Sequence, residues 1–254
     1  MYYKYHGINI YYEKYGNSKK TILILPGWGN TRNTFYDIIN FFKNYYTLYI
    51  VDYPGFGNSP ILNKDLTIYD YAKIIYSFIN EKNINNISII SHSFGGRIAS
   101  ILIGKHHLNI DKLILIDVAG IKRFNVKHII KIYIYKLLKS LSCILPIKYK
   151  FKTRKKLFNI FSSKDYLLLP PIMYRTFKNI INENLFKYYK KIKIDTLIIW
   201  GKKDKDTPIK DASLLKRIIK KSKLVIWNDA GHFSYLEKSQ EIIYLINDFI
   251  KKDD

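Results

Sequence analysis

The sequence predicts an α/β fold: a mostly parallel central sheet flanked by helices, with a helical insertion ahead of the last two strands. Three observations predict it. Short runs rich in Ile, Leu and Val recur without polar alternation, as in strands covered on both faces. Segments of helical length lie between them. One long stretch, from about Ile121 to Lys191, breaks the alternation with Lys-rich, aromatic, helical sequence and no clear strand.

In order along the chain, Gly7–Tyr12 reads as an edge strand and Gly16-Asn17-Ser18 as the turn after it. The buried strands follow at Ile22–Leu25, Leu48–Val51, Ile87–Ile90, Leu113–Ile116, Leu197–Trp200 and Leu224–Trp227. Thr67 caps a helix running to about Asn80, whose apolar positions Ile68, Tyr71, Ile74, Ile75 and Phe78 share one face. Further helices are expected over Phe94–Lys105, Ile209–Lys221 and Glu237–Lys251. Residues 1–120 and 192–254 then form the core, and 121–191 a helical subdomain broken at Pro146 and Pro170-Pro171.

The 254 residues suit one large domain, and 48% hydrophobic against 25% charged residues permits a sizeable core and excludes general disorder. Cys143 is the single cysteine, so a disulfide framework is excluded. The histidines at 6, 92, 106, 107, 128 and 232 have no zinc-ligand spacing, and neither a metal nor a cofactor is expected. The net charge is +23, with 37 of the 43 basic residues lysine. Lys, Asn, Ile and Tyr all have A/T-rich codons, so genome composition accounts for much of this excess. Even so, residues 118–164 hold 13 Lys and Arg and no Asp or Glu. No nucleic-acid-binding module is recognisable. The amino-terminal residues lack an apolar signal core, and Ile129–Ile147 is interrupted by lysines, so a cytoplasmic location is expected and an integral membrane segment is not.

The strongest chemical signal is Ser91-His92-Ser93-Phe94-Gly95-Gly96, between a strand and a helix. Such a tight turn needs small residues two before and two after its apex, here Ser91 and Gly95. It exposes the Ser93 hydroxyl beside the free N–H groups of the new helix. Leu25-Pro26-Gly27-Trp28-Gly29 and Asp52-Tyr53-Pro54-Gly55-Phe56-Gly57-Asn58-Ser59 each follow a strand. So do Gly201-Lys202-Lys203-Asp204-Lys205-Asp206-Thr207-Pro208 and Ala230-Gly231-His232-Phe233. In an open parallel sheet, sites form at the carboxyl ends of strands.

In these motifs and their order the chain resembles the α/β-hydrolase superfamily over nearly its whole length, except for 121–191, where relatives carry variable caps. The resemblance implies an α/β-hydrolase fold and a Ser-Asp-His triad of Ser93, Asp204 and His232. It also implies oxyanion donors at the backbone N–H groups of Trp28 and Phe94. Pro26 stands where many relatives have His. Asp206 and Asp117 are the rival acids. The Gly201 spacing selects Asp204, and Asp117 is expected to cap the entry to the insertion. Asp52 is expected to order its own loop, and Glu237 to begin the last helix.

The implied function is hydrolysis of a carboxylic ester, or related acyl bond, of a small molecule through an acyl-enzyme. The alternative is a carbon–carbon bond hydrolase or a menaquinone-pathway-type lyase acting on an anionic substrate, suggested by Arg97 after Gly95-Gly96 and by the cationic insertion. A binding module without catalysis is the non-enzyme reading, against which the intact Ser, Asp and His stand. In the insertion, Ile129, Ile130, Ile132, Tyr133, Leu137, Leu138 and Leu141 spread over several helix faces. This favours a lid buried over an acyl pocket, with contact to an anionic membrane as the weaker reading.

Overall fold

The fold is seen in a computed structural model, which describes residues 1–122, 126–144, 146–161 and 164–251. Eight strands form one sheet: β1 (Tyr2–Tyr5), β2 (Ile8–Tyr15), β3 (Thr21–Leu25), β4 (Thr47–Val51), β5 (Ile87–His92), β6 (Leu113–Ile116), β7 (Thr196–Gly201) and β8 (Ser222–Trp227). Their order is β1-β2-β4-β3-β5-β6-β7-β8. The pairings from β4 onward in that order are parallel, while β1–β2 and β2–β4 are antiparallel.

The expected strands are present within two residues at each end, apart from the first. The edge strand is β1, and the segment expected at the edge is the longer β2 inside it. The two are joined by a tight turn with positive φ at both His6 (44°) and Gly7 (84°). That geometry matches the twist of a hairpin.

Alternate residues along the buried strands serve two cores. Leu23, Leu25, Ile89 and Leu115 face the layer of α2 (Ile68–Glu81), α3 (Phe94–Gly104) and α9 (Ile209–Ile218). Ile22, Ile24, Ile90 and Ile114 face the layer of α1 (Tyr36–Phe42) and α11 (Ser239–Lys251). Helix α2 starts as expected, with a capping box: Thr67 Oγ1 accepts from the Asp70 N–H, and the Asp70 carboxylate accepts from the Thr67 N–H. Helix α1 was not anticipated from the sequence, and the last helix begins at Ser239. Glu237 instead closes a separate turn, α10 (Ser234–Glu237), and its carboxylate accepts from the Gly231 N–H at 3.0 Å.

Between β6 and β7 the described chain is helical: α4 (Val126–Leu141), α5 (Ile147–Phe161), α6 (Lys164–Leu168), α7 (Tyr174–Asn182) and α8 (Phe186–Tyr189). Helices α7 and α8 are tied to the sheet layers. Thr176 Oγ1 accepts from the Leu66 N–H at 2.9 Å, and Tyr189 Oη donates to the Ala119 carbonyl at 2.7 Å. The expectation of buried apolar faces fails on α4. Ile130, Tyr133, Leu137, Leu138 and Leu141 are all exposed, and the side chains of Ile129 and Ile132 lie outside the described residues. Among the described residues, no helix is long and apolar enough to cross a membrane.

Candidate active site

From β3 the chain passes to β4 on one side, then to β5 on the other, which opens a crevice at the carboxyl ends of β3 and β5. Ser93 stands there, between β5 and α3, with φ 47° and ψ −109°, a conformation strained for a residue with a side chain. The turn closes so tightly that a Cβ at Gly95 would lie 1.9 Å from the Leu25 carbonyl oxygen. Only glycine fits. Ser91, two residues before the apex, is fully buried, and its hydroxyl donates to the Ile114 carbonyl at 3.0 Å. That bond satisfies the polar atom in the place where glycine is usual.

The structure brings Ser93, Asp204 and His232 together from three strand ends. Asp204 Oδ2 lies 2.8 Å from His232 Nδ1, and His232 Nε2 lies 3.0 Å from Ser93 Oγ. An ionised Asp204 can only accept, so Nδ1 carries the ring proton. Nε2 is then bare and accepts from the Ser93 hydroxyl. Trp28 and Phe94 also meet Ser93, in a cavity of about 310 Å³ whose other walls include Phe177, Ile180 and Phe233. As the first residue of α3, Phe94 has an N–H with no partner inside the helix.

Asp206 does not reach the histidine as a partner. Its N–H donates to Asp204 Oδ1 at 2.7 Å. Thr207, which the sequence reading passed over, donates twice to the same carboxylate: its N–H to Oδ1 at 2.8 Å and its hydroxyl to Oδ2 at 2.5 Å. Burial pushes the Asp204 carboxyl up, but the His232 and Thr207 bonds outweigh this and hold it below its ordinary value. Burial likewise pulls His232 down, but the bond to Asp204 and the Asp204 charge leave it raised. The ligand atoms of Asp204, Asp206 and His232 lie within 4.8 Å of one another. With four donors already on Asp204, that cluster reads as an acid–histidine pair and does not offer a cation site.

Asp117, expected to cap the entry to the insertion, does something else. Its φ is 46°, and its buried carboxylate faces the site loops. Oδ1 accepts from the Gly201 N–H at 2.8 Å, and Oδ2 from the Ser234 hydroxyl at 2.5 Å. Burial pushes its pKa up to about 7 against those donors. His92 is a second unanticipated support: its Nε2–H donates to the His232 carbonyl at 2.8 Å. Burial pushes its pKa down to about 3, which keeps it neutral. Asp52 behaves as expected, with Oδ2 accepting from the Asn58 N–H at 2.9 Å within its own loop. A larger cavity, about 430 Å³, lies at the opposite ends of β7 and β8 among Lys112, Asp195 and Lys223, where the Ser222 hydroxyl in its wall donates to the Ile219 carbonyl at 2.6 Å.

Two family profiles match the chain, one described as alpha/beta hydrolase fold over residues 20–133, the other as TAP-like protein over residues 181–253. The AB hydrolase superfamily protein YisY of Bacillus subtilis is 28% identical over 95% of each chain. The pimeloyl-[acyl-carrier protein] methyl ester esterase of Wigglesworthia glossinidia brevipalpis is 29% identical over 93% of this chain and 96% of its own. A 2-hydroxy-6-oxononadienedioate/2-hydroxy-6-oxononatrienedioate hydrolase of Pseudomonas putida is 22% identical over 96% of this chain and 92% of its own. The solved esterase EaEST of Exiguobacterium antarcticum shares the fold with a TM-score of 0.76 at 23% identity, covering 98% of each chain. With the motifs in order at the strand ends of this sheet, the chain belongs to the alpha/beta hydrolase superfamily and is a hydrolase enzyme.

Proposed function

We propose that the protein is a serine hydrolase cleaving a carboxylic ester, or related acyl bond, of a small molecule. The observation that carries this reading is the unbroken chain from Asp204 through His232 to the Ser93 hydroxyl, at 2.8 and 3.0 Å, with Ser93 and His232 lining a cavity that Trp28, Phe94, Phe177 and Ile180 also wall. Ser93 Oγ attacks the acyl carbon while His232 Nε2 takes its proton. Asp204 holds the tautomer and stabilises the imidazolium. The N–H groups of Trp28 and Phe94 stabilise the oxyanion. The imidazolium returns its proton to the leaving alcohol, and the acyl group stays on Ser93. Water then attacks the acyl-enzyme with His232 as base, which frees the acid.

Residues 121–191 act in this reading as the cap. Phe177, Ile180 and Ile181 of α7 wall the acyl site. Arg97 also lines the cavity and is the feature that favours the anionic-substrate alternative. Its Nη1 is committed to the carbonyls of Ile180 (2.9 Å) and Glu183 (3.2 Å), so the guanidinium serves at least partly to tie α3 to α7, and the ester reading stands first.

The test is hydrolysis of a p-nitrophenyl ester series, from short to long acyl chains, by wild type and Ser93→Ala. The wild type is expected to turn over and the variant to fall to background. Retention of most activity by Ser93→Ala would overturn the mechanism. A folded wild type without ester turnover would transfer the reading to carbon–carbon bond cleavage or elimination on anionic substrates.

A further inference from the structure

The hairpin of α4 and α5 carries two surfaces that the proposed chemistry does not use. Ile130, Tyr133, Ile134, Leu137, Leu138 and Leu141 recur in steps of three and four, so they form one stripe along α4. All six are exposed, Tyr133 by 66% and Leu137 by 60%. The apolar exposure continues through the turn at Ile144 (83%) and Ile147 (75%). Helix α5 presents a second feature: Lys148, Lys152, Lys155 and Lys156 also follow helical steps, and all are exposed. The two helices are packed as one unit. The Tyr135 and Phe161 rings are 5.5 Å apart, and Arg154 Nε donates to Ser142 Oγ at 3.1 Å.

We propose that this hairpin docks on an anionic lipid bilayer, with the α4 stripe entering the interface and the α5 lysines reaching lipid phosphates. Charge and the exposed apolar stripe together select this occupant. A second copy would set cation against cation, because residues 118–164 carry 13 basic and no acidic side chains. A nucleic acid would match the charge but leave the stripe in water. An anionic bilayer satisfies both, and a helix of this kind lies in the interface without spanning it. The surface is also connected to the site by contact. Ring contacts run from Phe158 of α5 to Tyr166 (5.6 Å), on to Phe177 (5.8 Å), and from there to Trp28 (5.2 Å). The hairpin therefore reaches the loop beside Ser93 through three successive aromatic contacts. The proposal concerns binding, and it stands or falls separately from the ester reading.

Co-sedimentation with vesicles of phosphatidylcholine alone, and of phosphatidylcholine with phosphatidylglycerol, tests it at low and high salt. Pelleting is expected with the phosphatidylglycerol vesicles at low salt, reversed by high salt. Each surface lysine is worth roughly fivefold in partitioning. Replacing Lys148, Lys152, Lys155 and Lys156 together by Gln should therefore lower partitioning at least ~100-fold. Leu137→Ser/Leu141→Ser should also release the protein while soluble-ester turnover and the melting temperature hold. Cys143, the one cysteine of the chain, is exposed in the turn between α4 and α5, so a polarity-sensitive thiol label there reads insertion without any substitution. A blue shift on anionic vesicles is expected. Absence of pelleting and of shift would overturn the proposal. So would binding undiminished in both variants, or a dimer dispersed by Leu137→Ser/Leu141→Ser in a protein that binds no vesicle.

Discussion

The carboxylate of Asp117 grips Ser234, two residues past His232, through a 2.5 Å bond from the Ser234 hydroxyl. Its other oxygen accepts from the N–H of Gly201, the last residue of the strand that leads to Asp204. One buried side chain thus pins the Asp204 loop and the His232 loop to each other, and neither of its carboxylate bonds is to Ser93. Asp117→Asn keeps a single acceptor oxygen and loses one of the two grips. It should lower kcat by about 10- to 100-fold with little change in KM, and cost about 1–3 kcal/mol of stability. Steady-state kinetics together with thermal unfolding check this. Unchanged kcat would reduce Asp117 to a structural residue.

Asp117 also carries a pH signature. Its folded pKa of about 7 lies above the ordinary 3.8, so between those values the unfolded chain has given up a proton that the folded chain keeps. Its contribution to stability therefore falls as pH rises through that window. Wild type should lose more stability than Asp117→Asn between pH 5 and pH 7. Melting curves of both proteins across the window show whether it does.

The acid of the proposed triad can be separated from its neighbours by charge-neutral substitutions. Asp204→Asn leaves His232 without a carboxylate on Nδ1 and frees the wrong tautomer. It should cost kcat on the order of 10⁴-fold. Asp206 hydrogen-bonds to Asp204 through its backbone N–H, and its carboxylate adds only the weakest of the charges that raise His232, so Asp206→Asn should stay within a few-fold of wild type. Equal losses in the two variants would contradict the geometry. Thr207→Val removes one hydroxyl donor from Asp204 and should fall between them, at about tenfold.

The candidate site was legible in the sequence wherever a local turn dictates residue types. Ser93, Asp204, His232, Trp28 and Phe94 each sit in a short motif after a strand, where backbone crowding or a positive φ leaves few choices. Thr207, Asp117 and His92 were not legible as supports, because their partners come from other strands and no spacing along the chain signals such a contact. Helix α4 shows a different limit. Its apolar sequence implies a helix buried on several faces, but the exposed residues fall on one stripe. Periodicity reports which residues share a face and is silent on what medium covers it. The edge hairpin failed for a third reason: a tyrosine-rich first strand lacks the aliphatic run that marks the buried ones.

The pH dependence of turnover follows from His232. In the proposed mechanism it works as a base only when neutral, and its bond to Asp204 and the Asp204 charge hold its pKa above the ordinary 6.5 despite burial. In the free enzyme, kcat/KM should therefore rise with pH and level off, with a midpoint above that value. His92, neutral with a pKa near 3, contributes no second limb in this range. Asp204→Asn removes the two largest raising influences and leaves burial, which acts in the opposite direction, against only the lesser push of the Asp117 and Asp206 charges. The midpoint of its residual activity should shift down relative to wild type. Profiles of kcat/KM on one p-nitrophenyl ester for both proteins test the assignment. A midpoint unmoved in Asp204→Asn would mean that a group other than the Asp204-bound imidazole governs the reaction.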